Sequence, residues 1–439
     1  MNLYFISLGC DKNLVDSGNM IDILSRHGHR IVDDIDEADA AIVNTCCFIR
    51  SAAEESIEAV LEMAAAKEEG RLKALVMAGC MAERYRDQIA VELPEVDALI
   101  DTHSIADAAK ILEELEIETE KDKQDDSASA VLLGPGYYGY LKIADGCDKH
   151  CTYCVIPSIR GPYRSEPMDE LVDKAERMAD DGVRELILIA QETTLYGVDL
   201  YGSKRLPELL DRLCEIEGID WIRLLYCYPE EITDELIACM KDHDKICHYI
   251  DMPIQHSNDE ILKRMGRRTD QREIRRIVQK LRAAMPDIAI RTTLITGFPG
   301  ESEEQHEELL SFIGEMDFDR VGIFAYSREE GTPAAGMEGQ IDEEVKDRRL
   351  GELYARQQAL VFDRNESLKG SVFDVIIEGS LTDEPGVYAG RTYRDAPQVD
   401  GLVFVKSAAP LESGDMVQVI IDGASGYDLT GTRKEEEVE

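Results

Sequence analysis

Strand-like apolar runs alternate with helix-like stretches along most of this chain, and this alternation constrains the fold more than any other feature. From Leu3 to about Ile100 the order is LYFISL, a helix from about Val15 to Arg26, AAIVNT, a helix from Ala52 to Ala66, and ALVMAG. Short apolar runs joined by helices pack as a parallel sheet with helical cover, because a parallel crossover needs roughly a helix's length to return. From Tyr140 onward six further strand candidates follow in the same rhythm: YLKIA, ELILIA, WIRLLY, HYIDMP, IAIRTTLIT and RVGIFAY. Six βα units in a row imply an open (β/α)6 barrel. A helix-favouring stretch from Asp342 to Leu368 then gives way to VFDVIIEG, GVYAGRT, GLVFVKS and DMVQVIID, separated by glycine-rich turns, which read as a small all-β barrel. Between the first two blocks the acidic run from Glu113 to Ser129 has few core-forming residues and reads as a helix end passing into a linker. The expected organisation is an α/β chain: an N-terminal parallel-sheet α/β domain over 1–115, an acidic linker over 116–132, a central open barrel over 133–366 and a small β-barrel over 367–434. EEEVE at the end reads as a solvated tail.

The cysteines point to chemistry. The chain has 439 residues and eleven cysteines, an odd number scattered over several domains. There is no long apolar run of membrane-spanning length, and MNLYFISLGC reads as a strand, so the expected location is cytoplasmic, with no membrane. In a reducing compartment such clusters bind metal or react more often than they form disulfides. Cys147, Cys151 and Cys154 form a CxxxCxxC loop just after the first barrel strand, where a turn can bring three thiolates around one cluster. Three ligands on a four-iron cube leave one iron open, and an open iron can chelate S-adenosylmethionine and cleave it reductively to a radical. The alternative for this loop is a zinc site that recruits His150 or a distant ligand.

A second trio is more widely spaced. Cys10, Cys46 and Cys80 each close an apolar strand, in FISLGC, AIVNTC and LVMAGC. In a parallel sheet successive strands end at the same edge, so three thiolates could gather there. Against this stands the ordinary burial of free cysteine as a small apolar residue, which is the expectation for Cys214, Cys227, Cys239 and Cys247. Cys47 follows Cys46 directly, points elsewhere and is read as a non-ligand.

Two segments are candidates for holding the cofactor. Gln191, Glu192 and Thr193 end the second barrel strand, and Gly297, Pro299 and Gly300 lie in TGFPGE after the fifth; both belong to the face on which barrel sites are built. Glycine there would let backbone approach a nucleoside, although GFPG alone could be simple loop chemistry. His256 in PIQH is more often a hydrogen-bonded structural residue than a catalyst. No residue is identifiable as an acid or base.

Charge bears on the partner. With 90 acidic against 48 basic residues the formal charge is -42, so nucleic acid is repelled over most of the surface and is not expected as substrate, whereas a basic protein fits. Simple solubility would account for the excess equally well. The terminal segment from Ser371 to Glu439 carries 14 acidic and 5 basic residues, the wrong sign for an RNA-binding barrel.

SLGCDKNLVDS, VNTC, AGC, GCDKHCTYCVIPSIRG and RTTLITGFPGE occur in this order ahead of the final barrel. In these motifs the chain resembles the methylthiotransferase family over almost its full length. The resemblance implies an N-terminal domain with an auxiliary 4Fe-4S cluster on Cys10, Cys46 and Cys80. It further implies a radical S-adenosylmethionine core with a second 4Fe-4S cluster on Cys147, Cys151 and Cys154, and a terminal TRAM barrel that meets the substrate. SLGCxKNxVDS and IPSxRGxxRS are similar to the branch that modifies the β-carbon of an aspartate in small-subunit ribosomal protein twelve, free or on the ribosome. The transfer-RNA branch would read closer to YGCQMN and VPYTRG, where this chain has Leu8, Lys12, Asn13, Pro157, Ser158 and Ile159. FAYSREEGTPAA and GYDLTG also resemble the ribosomal-protein branch. The implied reaction uses S-adenosylmethionine as radical source and methyl donor and draws electrons from a donor protein such as flavodoxin. Departures from the family pattern are Cys47, where glycine is usual, and Gly18, where glutamate often follows VDS. The same chemistry on a transfer-RNA adenosine, and a non-catalytic iron–sulfur or zinc scaffold, are the alternative readings.

Overall fold

The computed structural model describes residues 1–115, 117 and 136–435. Apart from Ile117, the acidic linker expected over 116–132 lies outside the described residues. Two compact units emerge: the described residues of Met1–Gly134 with Asp145–Tyr163 and Glu329–Thr332, and those of Pro135–Ala144 with Arg164–Arg328 and Pro333–Glu439.

The first unit is a five-stranded sheet of β1 (Asn2–Ser7), β2 (Arg30–Val32), β3 (Ala40–Thr45), β4 (Ala74–Gly79) and β5 (Ala98–Ile100). Every pairing is parallel, and the order is β2-β1-β3-β4-β5. β3 and β4 are buried at every position, as central strands covered on both faces must be. Helix Arg50–Glu68 covers one face through Val60, Met63 and Ala64. Helices Asp11–Arg26 and Ala108–Glu113 cover the other through Met20, Leu24, Ala108 and Leu112. The first helix begins at Asp11, earlier than the Val15 read from periodicity, because Gly9 turns the chain at φ +91° and Cys10 becomes the N-cap. The helix expected over Ala52–Ala66 likewise runs from Arg50 to Glu68. β2 and β5 escape pattern reading, since three-residue edge strands show no measurable alternation.

In the second unit the six expected strands are all present: Tyr138–Lys142, Glu185–Ile189, Trp221–Leu224, Ile246–Asp251, Ala289–Thr296 and Arg320–Ala325. They pair in parallel and in chain order, and the sheet is open. Helix Glu343–Ser367 leads into a closed five-stranded barrel. Its last strand, Asp428–Arg433, is too polar and glycine-bearing to stand out in the sequence.

The small barrel docks on the amino-terminal edge of the open sheet through buried charge. Glu185 opens the second strand and accepts from Arg223 Nε at 2.7 Å and from Arg391 Nη2, a small-barrel residue, at 2.8 Å. All three side chains are essentially inaccessible to water. The carboxyl-terminal edge, where ligand sites of such sheets form, is left clear of this contact. No helix among the described residues is long and apolar enough to cross a membrane.

Candidate iron–sulfur and S-adenosylmethionine sites

Cys10, Cys46 and Cys80 follow β1, β3 and β4. The strand order reverses between β1 and β3, which is where open α/β sheets place their ligands. Asn13, fully buried, ties the loops together: its Nδ2 donates to Leu8 O at 3.0 Å and Thr45 O at 2.9 Å. Its Oδ1 lies 3.5 Å from Cys80 Sγ. Asn44 donates to Asn13 O and to Ser17 Oγ, both at 2.8 Å, and the Ser56 hydroxyl accepts from Cys46 N at 2.9 Å. Gly9 leaves no room for a side chain, since a Cβ there would lie 2.6 Å from Cys46 Cβ. Cys46 and Cys80 are buried, while Cys10 is exposed. Burial pushes the Cys80 thiol up to about 12; Arg160 opposes the shift, and the neighbouring Cys10, Cys46 and Cys47 thiols add to it. A crowd of buried thiols is stable as thiolate only beside strong positive charge. Cys47 belongs to the same buried cluster as Met77 and Met81, which also holds Cys80.

The CxxxCxxC loop belongs to the same compact unit. Gly146, at φ +78°, lets Cys147 N reach Gly161 O at 3.1 Å. Backbone N–H groups point at sulfur: Lys149 N lies 3.4 Å from Cys147 Sγ, and Ile156 N lies 3.5 Å from Cys154 Sγ. Donors so placed stabilise thiolate ligands. The short helix Ile156–Arg160 packs Val155 and Ile159 into the cluster that holds Cys80 and Met81.

Arg160, at the end of that helix, is 2% exposed and is the residue that sequence reasoning missed. Its guanidinium is 2.7 Å from Asp16, 3.1 Å from Asp145, 2.7 Å from Asn13 Oδ1 and 3.6 Å from Cys80 Sγ. One buried cation thus spans from the helix after the CxxxCxxC loop to a cysteine of the strand-end trio. IPSIRG was legible as a motif, but nothing local marks its arginine as a buried bridge.

The expected cofactor segments lie in the second unit. Glu192 is fully buried, with its carboxylate accepting from Thr194 N at 3.1 Å, and Thr193 Oγ1 donates to Leu225 O at 2.6 Å. Gln191 is partly exposed at the strand end. Gly297 and Gly300 adopt φ +71° and +77°, and Pro299 between them is buried. The buried carboxylate of Glu301 folds this turn back on itself, accepting from Gly297 N at 2.5 Å and Phe298 N at 3.1 Å. Burial alone would raise the Glu301 pKa, but His256, His306 and Arg349 around it hold it down at about 2. His256 therefore serves the loop: its Nδ1 accepts from Asn258 N at 3.0 Å and its Nε2 faces Glu301.

Residues 2–101 match Uncharacterized protein family UPF0004, residues 141–313 the Radical SAM superfamily and residues 370–433 the TRAM domain. The chain is 54% identical to a ribosomal protein uS12 methylthiotransferase RimO of Lachnoclostridium phytofermentans, over 98% of this chain and 100% of that one. The chain belongs to the RimO family. Its likeness to the RimO of Clostridioides difficile is 46% over 97% of each chain. Among solved structures, the radical S-adenosylmethionine methyltransferase TsrM from Kitasatospora setae shares the fold at TM-score 0.58 and 13% identity, over 83% of this chain and 90% of that one. The cobalamin-dependent radical enzyme OxsB shares it at TM-score 0.53 and 12% identity over 81% of this chain, which spans 56% of OxsB.

RimO-family membership implies S-adenosylmethionine and 4Fe-4S clusters, and the donor sets here fit them. Each trio offers three thiols, the donor set of a four-iron cube with one iron left open.

Proposed function

We propose that this protein methylthiolates the β-carbon of an aspartate in ribosomal protein uS12, with S-adenosylmethionine as radical source and methyl donor. One 4Fe-4S cluster would sit on Cys147, Cys151 and Cys154, and an auxiliary one on Cys10, Cys46 and Cys80. The observation that carries this reading is the presence of both trios in one compact unit, with Arg160 of the helix after the CxxxCxxC loop against Cys80. When bound, the clusters and S-adenosylmethionine supply the one-electron chemistry that removes hydrogen from a carbon no acid or base can activate.

The chain's own residues hold and shape. Asn13, Ser56 and Gly9 set the loops that carry Cys10, Cys46 and Cys80, and backbone N–H groups steady the sulfurs of Cys147 and Cys154. Gln191, Glu192, Thr193, Gly297, Pro299 and Gly300 are the residues proposed to contact S-adenosylmethionine, on turns kept in shape by buried partners such as Glu301. The proposed domains are 1–115, 133–366 and 367–434 around the linker 116–132. The acidic terminal barrel favours encounter with a basic protein rather than with RNA. An electron donor such as flavodoxin, a cytoplasmic location and action on free or ribosome-borne uS12 complete the proposal.

The test is anaerobic incubation of the reconstituted protein with a uS12 loop peptide or with transfer RNA, followed by mass spectrometry. A methylthio gain on the peptide aspartate alone is expected, and modification of RNA instead would overturn the substrate. Cys151→Ala should abolish turnover while partner binding persists; unchanged turnover would remove the radical mechanism.

A further inference from the structure

A third set of metal-binding side chains lies away from both cysteine trios, in the second unit. Asp211 sits on helix Leu206–Cys214, Cys239 sits on helix Asp234–Asp242, and His243 is the C-cap of the latter. One ligand atom from each lies within 4.8 Å of the others. Asp211 Oδ1 is 3.6 Å from Cys239 Sγ and 3.4 Å from His243 Nε2. Sulfur at ~2.3 Å and nitrogen or oxygen at ~2.0–2.1 Å from a tetrahedral Zn²⁺ lie about 3.3–3.6 Å apart, so these two separations suit one ion, while on the third side Cys239 Sγ lies 3.9 Å from the His243 ring at Nδ1.

The histidine geometry is an independent observation pointing the same way. His243 Nδ1 is 3.0 Å from the backbone carbonyl of Cys239. A carbonyl only accepts, so Nδ1 carries the hydrogen and donates it. Fixing one ring nitrogen on a backbone carbonyl is how metal-binding histidines present the other. In the neutral ring Nε2 is then a bare lone pair, and it faces the carboxylate Asp211 Oδ1, another acceptor. Two acceptors facing each other favour a cation between them, a proton or a metal ion, and the third neighbour is a thiol whose sulfur lies 3.6 Å from the same carboxylate oxygen. Cys239 is buried, His243 half-buried and Asp211 exposed, so the trio closes on its protein side and is open to solvent on the other.

We propose that Asp211, Cys239 and His243 bind one Zn²⁺ ion, with water in the fourth position, as a clip joining the two helices. Binding replaces the Cys239 S–H bond with S–Zn and releases the proton to solvent. The site is independent of the methylthiolation reading, and soft thiolate with imidazole selects zinc over magnesium or calcium.

The experiment uses the full chain with its iron–sulfur clusters reconstituted, so that cluster cysteines are occupied. After incubation with zinc chloride and desalting, metal content is measured by plasma mass spectrometry and coordination by zinc K-edge X-ray absorption, to which iron is silent. Expected are about one retained zinc per chain and a shell of one sulfur with nitrogen and oxygen. Cys239→Ser and His243→Gln should each weaken binding at least about tenfold with iron content unchanged. His243→Gln changes a half-exposed cap and keeps the test informative should Cys239→Ser fold poorly. No retained zinc in the wild type, equal retention by His243→Gln, or a shell of two or more sulfurs would each overturn the site.

Discussion

Arg160→Met removes the cation that bridges the two cysteine segments, and its cost can be worked from burial. Arg160 and Asp16 are each 2% exposed and 2.7 Å apart, so the substitution removes the guanidinium from a buried carboxylate and from Asn13 Oδ1. Breaking a buried pair by removing one partner costs about 3–5 kcal/mol, far above the value of a surface bridge. The effect should be local, because the contacts of Arg160 tie the helix after the CxxxCxxC loop to the loop and helix that follow β1. Hydrogen-exchange mass spectrometry on the cluster-free protein is the assay. Amides of β3 and β4 that open sub-globally should exchange about 100-fold faster or more, while strand Glu185–Ile189 of the other unit is unchanged. Adding Asp16→Leu should restore part of the protection, because an apolar pair tolerates burial better than a carboxylate that has lost its guanidinium, and the cycle should show a coupling of at least about 1 kcal/mol. Arg160→Lys should not rescue fully, since a single ammonium cannot reproduce a planar fork reaching Asp16, Asn13 and Cys80. Unchanged exchange in β3 and β4, or strictly additive effects of the two substitutions, would refute the reasoning.

Gly9→Ala places a Cβ 2.6 Å from Cys46 Cβ at a φ of +91°, and should halve the iron bound on reconstitution while the CxxxCxxC cluster still loads; full iron content would contradict it. Glu301 has a pKa of about 2 in the folded protein against 4.5 as the reference, so its contribution, of the order of 3 kcal/mol, is present above about 4.5 and fades as pH falls toward 2. The stability gap between wild type and Glu301→Gln should therefore narrow through that window in urea titrations, and a constant gap would count against it. Glu185→Gln leaves Arg223 and Arg391 buried without their shared carboxylate and should cost about 3–5 kcal/mol, seen as faster proteolysis of the terminal barrel; an unchanged cleavage rate would sink that account.

Much of the fold was legible because it is written in local periodicity. The six central strands, the cysteines that follow β1, β3 and β4, and the helix after Asp342 all announce themselves through apolar runs and their spacing. Strands β2, β5 and Asp428–Arg433 did not, being too short or too polar to carry a pattern. Cys214 was expected to be buried with Cys227, Cys239 and Cys247, yet it is only partly so, since the end of a helix turns its last residue toward solvent. Among the candidate site residues, identity came from the motifs, while Glu301, quoted within TGFPGE, gave no local sign that it braces the turn.

The sequence by itself determined the chemistry on offer: which thiols exist, how they are spaced along the chain, and which strands they end. Tertiary structure alone decided which charges meet. Arg160 reaches Asn13 across 147 residues and Arg391 reaches Glu185 across 206. Hydrophobic periodicity reports which face of an element is buried, not what it is buried against, so a buried arginine looks like any surface arginine until the fold removes it from water. Only then does desolvation make its partners matter.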